Sequence, residues 1–251
     1  MQITDCRLRI GELLGRSAVY RALSILFRPP EGETAHGLGG GDRRLPEILE
    51  SLEGKSSQRT TELARRLMKE LEGISPEEWR RLYERIFGHA VHSTAPPYEL
   101  EYGQEHSHRQ PRELSDITAF YQAFGLQVSV SAHERADHIL TECEFMAFLL
   151  YKEAVALDEG AAEKAELCRE ASRQFLSDHL GQWGPAFASG LSRAASGTLL
   201  GSISDLLLAW LAGECQRMKI ASPSVELALR TPQEANPTCA SCENQGSVLE
   251  S

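Results

Sequence analysis

No apolar run in this 251-residue chain approaches the ~20 residues that a membrane-spanning helix requires. An export segment is also missing. Met1 to Gly15 carries Asp5, Arg7, Arg9 and Glu12 among its apolar residues, which leaves no hydrophobic stretch for a signal peptide. The expectation is a protein of the cytoplasm with no stable membrane insertion. Basic charge is scarce as well, with 26 Lys and Arg against 36 Asp and Glu and a net charge of -10. That balance excludes the basic face a nucleic-acid binder turns to phosphate, and it suits a basic partner or plain solubility. Six cysteines, at 6, 143, 168, 215, 239 and 242, are too scattered for a disulfide framework and are expected to be reduced. Strand signals are missing too, since no segment alternates β-branched and polar residues. The Gly39-Gly40-Gly41 run follows no strand and leads into no Lys-Ser/Thr, so it reads as linker and gives no phosphate loop.

What is present is helical periodicity throughout, in a composition 41% hydrophobic and 25% charged. The expected fold is all-α, one helical bundle over residues 1–220 followed by a flexible polar tail over 221–251. Leu8, Leu13, Leu14, Ala18, Leu23 and Leu26 mark an opening helix that stops at Pro29-Pro30. Leu63, Leu67 and Leu71 mark another. Ser75-Pro76-Glu77-Glu78 is a helix start with N-cap serine, first-turn proline and capping-box glutamate. Trp79, Leu82, Tyr83, Ile86 and Phe87 then form one apolar face, ended by Gly88. Leu114 to Phe124 is a further helix closed by Gly125. Ser131-Ala132-His133-Glu134 reads as a second capping box, opening the longest helix to about Leu157. Helices are also expected near 163–180, stopping at Gly181, and over 185–195 and 199–218.

Two places concentrate groups with chemical potential. On the helix expected from Ala132, Ile139, Cys143, Met146 and Leu150 face the core, while Glu134, His138 and Glu142 lie four apart with Asp137 beside them. Acids at a helix start complement its dipole, and His138 between two glutamates is expected to gain proton affinity. The cluster fits a capped helix start, a binding patch, or a metal or acid–base site. The second place is Thr94-Ala95-Pro96-Pro97-Tyr98-Glu99-Leu100-Glu101-Tyr102, where two prolines hold the backbone extended and present aromatics among acids. It fits a rigid connection or a seat for an extended basic and apolar peptide.

The order Pro96-Pro97-Tyr98-Glu99, then Glu134-Arg135-Ala136-Asp137-His138 running into Ile139-Leu140, resembles the TorD/DmsD/NarJ family of molybdoenzyme maturation chaperones. The aromatic helix from Trp79 to Phe87 and the pattern from Arg173 to Trp183 extend the resemblance over about residues 12–215. The family often has Trp where Tyr98 stands. The resemblance implies an all-α fold and a cytoplasmic chaperone without catalytic residues or cofactor. Its partner would be a molybdopterin oxidoreductase catalytic subunit, bound through its twin-arginine leader or its apo form. It also implies a peptide-binding region at Pro96, Pro97, Tyr98, Glu99, Asp137 and His138, with Phe87 and Glu134 adjoining. Apolar anchors would set affinity, and Glu99, Glu101 and Asp137 would steer a basic peptide.

Cys239-x-x-Cys242 supplies two of the four ligands of a structural zinc site, and fits bystander thiols, thiol exchange or a metal shared with a partner. His89, His92, His106 and His108 stand in the irregular segment between helices. From these comes a rival reading, a metal- or thiol-dependent redox accessory protein. A helical adaptor that binds its partner elsewhere is another. The sequence does not name the client, and it leaves open monomer or homodimer.

Overall fold

The computed structural model describes residues 3–30, 44–52, 55–88, 95–103, 110–128, 134–221 and 225–230. Its helices are α1 (Ile3–Leu26), α2 (Leu45–Ser51), α3 (Lys55–Gly73), α4 (Pro76–Phe87), α5 (Gln110–Ala123), α6 (Ile139–Asp158), α7 (Ala162–Phe175), α8 (Gly181–Ala194) and α9 (Leu199–Arg217). No strand occurs among the described residues, so the fold is all-α as the periodicity requires. None of these helices is long and apolar enough to cross a membrane.

The core is built on α6, which lies along α1 on one side and α7 on the other, while α8 and α9 pair and α3 covers α9. Ile139, Cys143, Met146 and Leu150 are fully buried along α6, as their spacing predicts. The α1 stripe differs from the expected one. Leu8 and Leu14 face solvent, and the buried line is Leu13, Arg16, Tyr20, Leu23 and Phe27. A stripe that includes arginine is invisible to a search for apolar residues. It is possible because Glu214 of α9 receives Arg16 through Nε at 3.0 Å and Nη2 at 2.9 Å, in a buried pair.

The capping box before α4 forms as predicted. The Ser75 hydroxyl accepts from Glu78 N–H, and the Glu78 carboxylate accepts from Ser75 N–H at 2.9 Å. α5 closes with Gly125 at φ +72°. Three boundaries are corrected. Among the described residues the longest helix is α1, of 24 residues, against 20 for α6. The latter starts at Ile139 with His138 as N-cap, so Glu134 and Asp137 precede it; Ser131 to His133 lie outside the described residues. Gly181 does not stop its helix. The rod widens into a π-turn over Leu176–Leu180 and continues as α8, through Pro185. Gly181 is needed there for space: a Cβ would meet the Leu176 carbonyl oxygen at 2.2 Å.

Candidate functional site

The proline loop and the start of α6 are joined by backbone. Tyr98 and His138 form an isolated antiparallel bridge: Ile139 N–H donates to Pro97 O and Glu99 N–H to Asp137 O, both at 2.9 Å. This pairing explains why α6 starts late, because His138 is extended to meet the loop and a helix there would forfeit both bonds. The loop folds on itself through a 3-10 turn at Glu99–Glu101, and the Tyr102 hydroxyl donates to Pro96 O at 3.0 Å.

Asp137 is fully buried and holds this corner together. Its carboxylate takes both arms of Arg135, from Nε at 2.8 Å and Nη2 at 2.7 Å, and the Leu100 N–H at 3.2 Å. Arg135 in turn lies 4.5 Å above the Tyr98 ring centroid, and its Nη1 is 3.6 Å from Glu101. Asp137 therefore organises the loop and is not available as a steering charge at the surface.

His138 behaves opposite to the expectation that glutamate neighbours would raise its proton affinity. Burial, with the Arg135 charge adding to it, pushes its pKa down to about 3. The geometry agrees with a neutral ring: Nδ1 accepts from Leu140 N–H at 3.1 Å and so carries no proton. Glu134 stands 3.7 Å from Nε2, a polar contact without ion-pair character. The ring packs edge-on to Tyr98, with centroids 5.1 Å apart. Phe87 ends α4 with its ring 4.8 Å from that of Tyr83, whose hydroxyl is raised in pKa by burial and by the charge of Glu134.

Behind the loop lies a second set of groups that sequence reasoning left unassigned. Glu99 Oε1 is 3.1 Å from His179 Nδ1, which the π-turn carries. Trp183, one turn on, donates its indole N–H to the buried Glu142 carboxyl at 3.0 and 3.2 Å. Burial and the neighbouring Glu99 carboxylate push the Glu142 pKa well above the usual carboxylate range. The i, i+4 spacing of His179 and Trp183 was visible in the sequence, but their partners come from elements 41 to 80 residues away.

The same groups floor an open cavity of about 680 Å³ between the loop, α5 and the π-turn, lined by Tyr102, Phe120, His179 and Trp183 with the acids Glu99, Glu113, Asp116 and Asp178. Part of the segment assigned to the tail is held at this cavity: Leu229 bridges Tyr102, and Arg230 lies among the acids. Of the predicted residues, the structure joins Pro97, Tyr98, Glu99, Asp137 and His138 directly, with Pro96 and Glu134 beside them. Arg135, which holds Asp137 and Tyr98 at once, is a site residue that the motif contains but its spacing does not single out. His89, His92, His106, His108, Cys239 and Cys242 lie outside the described residues. Among the described residues no three His, Cys, Asp or Glu side chains gather as a metal site would need.

Fold and corner together define an all-helical bundle that presents a braced, aromatic and acidic loop edge. The model of the family described as nitrate reductase delta subunit matches residues 50–189, and the chain belongs to that family, as its TorD/DmsD/NarJ resemblance implies. It is similar to the perchlorate reductase assembly chaperone protein of Dechloromonas aromatica, 31% identical over 70% of this chain and 78% of that protein. It is also similar to the selenate reductase assembly chaperone protein of Thauera selenatis, 40% identical over 30% of this chain and 37% of that protein. The chaperone protein TorD of Photobacterium profundum is 32% identical over 49% of this chain and 58% of its own length.

Proposed function

We propose that this protein is a cytoplasmic assembly chaperone for a molybdopterin oxidoreductase, and a binding protein rather than an enzyme. It holds the catalytic subunit, through its twin-arginine leader or its apo form, until the cofactor is inserted. The observation that carries this reading is the match, over 78% of its length, to a relative named as a reductase assembly chaperone. The corner supports it physically. Pro96 and Pro97 pre-extend the loop, Tyr98 is half-buried and offers an apolar face, Glu101 adds negative charge near it, and Glu99 does so on the cavity side of the loop. Phe87, Glu134, Asp137 and His138 shape that surface from below; affinity comes from the aromatic and proline faces, and orientation from the acids.

The test is co-purification from the native cell under mild lysis, followed by identification and molybdenum analysis of the large subunit recovered. A molybdenum-free oxidoreductase subunit is expected, and Tyr98→Ala should reduce its recovery severalfold without unfolding the bundle. Recovery of no such subunit, or of the molybdenum-loaded form equally well, overturns the proposal.

A further inference from the structure

One wall of the cavity behind the proline loop is supplied by a distant piece of this chain. Residues 225–230 lie more than 120 positions from the loop in sequence, yet they pair with it through an isolated antiparallel bridge. Gly103 N–H donates to Ala228 O at 2.9 Å, and Arg230 N–H to Glu101 O at 2.8 Å, on either side of the Tyr102–Leu229 bridge. The Arg230 side chain then turns into the acidic cavity. Its Nε donates to Tyr102 O and its Nη2 to Glu113 Oε2, each at 2.8 Å, while Nη1 is buried without a partner among the described residues. Leu227 lines the same cavity beside Phe120 and Trp183. Gly103 suits this turn because its φ of +103° is one that L side chains rarely adopt, and it places its N–H toward Ala228 O.

Two features mark this segment as a displaceable occupant. Two backbone hydrogen bonds join it to the loop, and one buried nitrogen of its guanidinium has no partner among the described residues, in a cavity that carries four carboxylates. It also displays the chemistry the proposed function assigns to the client, an extended backbone with apolar residues leading to an arginine. We propose that residues 227–230 are a cis pseudo-ligand. They fill a subsite on the back of the proline loop that takes an arginine-bearing extended peptide, and such a peptide binds by displacing them. This rests on the peptide-binding reading of the loop and adds a second face to it, with Glu99 common to both.

The apparent affinity of a site that is open only a fraction of the time falls by that fraction. A strap closed nine-tenths of the time or more therefore weakens an incoming peptide by about tenfold or more. The experiment uses a labelled peptide of residues 225–231, Val-Glu-Leu-Ala-Leu-Arg-Thr, titrated in trans against the full-length chain by fluorescence anisotropy. Arg230→Ala in the protein should tighten its binding about tenfold or more over the wild type. Glu113→Gln added to that variant should reverse the gain, and a peptide with Ala in place of Arg should not bind. As a second measurement on the unaltered protein, saturating peptide should accelerate hydrogen exchange at the Arg230 amide. Equal binding to wild type and Arg230→Ala, or unchanged exchange at Arg230, overturns the pseudo-ligand. A client leader that binds both proteins equally well would refute the strap and leave the chaperone function standing; one that binds neither would refute the function.

Discussion

Replacing His138 by Asn separates one proton from all the others in this molecule. The wild-type imidazole is buried, caps α6 through Nδ1, and titrates at about 3 against an ordinary value of 6.5. In the unfolded chain the ring takes up a proton as pH drops below 6.5, while the folded ring stays neutral down to about 3. The unfolded state thus binds more protons across that window, and stability falls as pH falls through it. Each pH unit below 6.5 costs about 1.4 kcal/mol, so the loss from pH 7 to 5 is about 2 kcal/mol. With a urea slope of about 2 kcal/mol per molar, the unfolding midpoint should drop by about 1 M. Asn places an amide oxygen where Nδ1 stood and is a strong N-cap, so His138→Asn should keep α6 and lose this pH dependence. Glu142 has the opposite sign: its raised pKa favours the folded state at low pH, an advantage lost as pH rises above 4.5. Because Glu142 and the other histidines are common to both proteins, comparing the wild-type and variant midpoint changes isolates His138. Equal changes in the two proteins between pH 7 and 5 would refute the neutral, buried ring.

Two further outcomes follow from single contacts. Trp183→Phe keeps the aromatic volume but removes the donor to buried Glu142, and should cost about 1–3 kcal/mol by urea denaturation at pH 7; an unchanged midpoint would mean the indole bond carries nothing. Gly103→Ala forces a side chain into φ +103° beside the Arg230 guanidinium, with about 1–3 kcal/mol of strain. It should shift trans-peptide binding in the same direction as Arg230→Ala, and weaker peptide binding would show that Gly103 serves the site in another way.

The helices, their caps and the family were legible in the sequence because they depend on near neighbours. Ser75 and Glu78 are three residues apart, and the α6 core positions repeat every three or four, so local geometry alone determines them. The proline loop and the Asp137-His138 pair were legible as a motif for the same reason. Their roles were not. Whether a carboxylate steers a ligand or ties down a loop depends on what surrounds it, and Asp137 meets Leu100 across 37 residues. The sense of the His138 shift depended on burial that no spacing reveals. The start of α6 was misplaced because backbone pairing with Pro97 and Glu99 outweighs a local capping pattern. Composition marked residues after 221 as tail, and only long-range pairing shows that part of it returns to Tyr102. The sequence by itself determined an all-α member of a chaperone family and where its motif-bearing corner lies. Tertiary structure alone decided which charges are spent inside that corner and which arginine sits behind it, because desolvation and pairing are properties of a place, not of a residue.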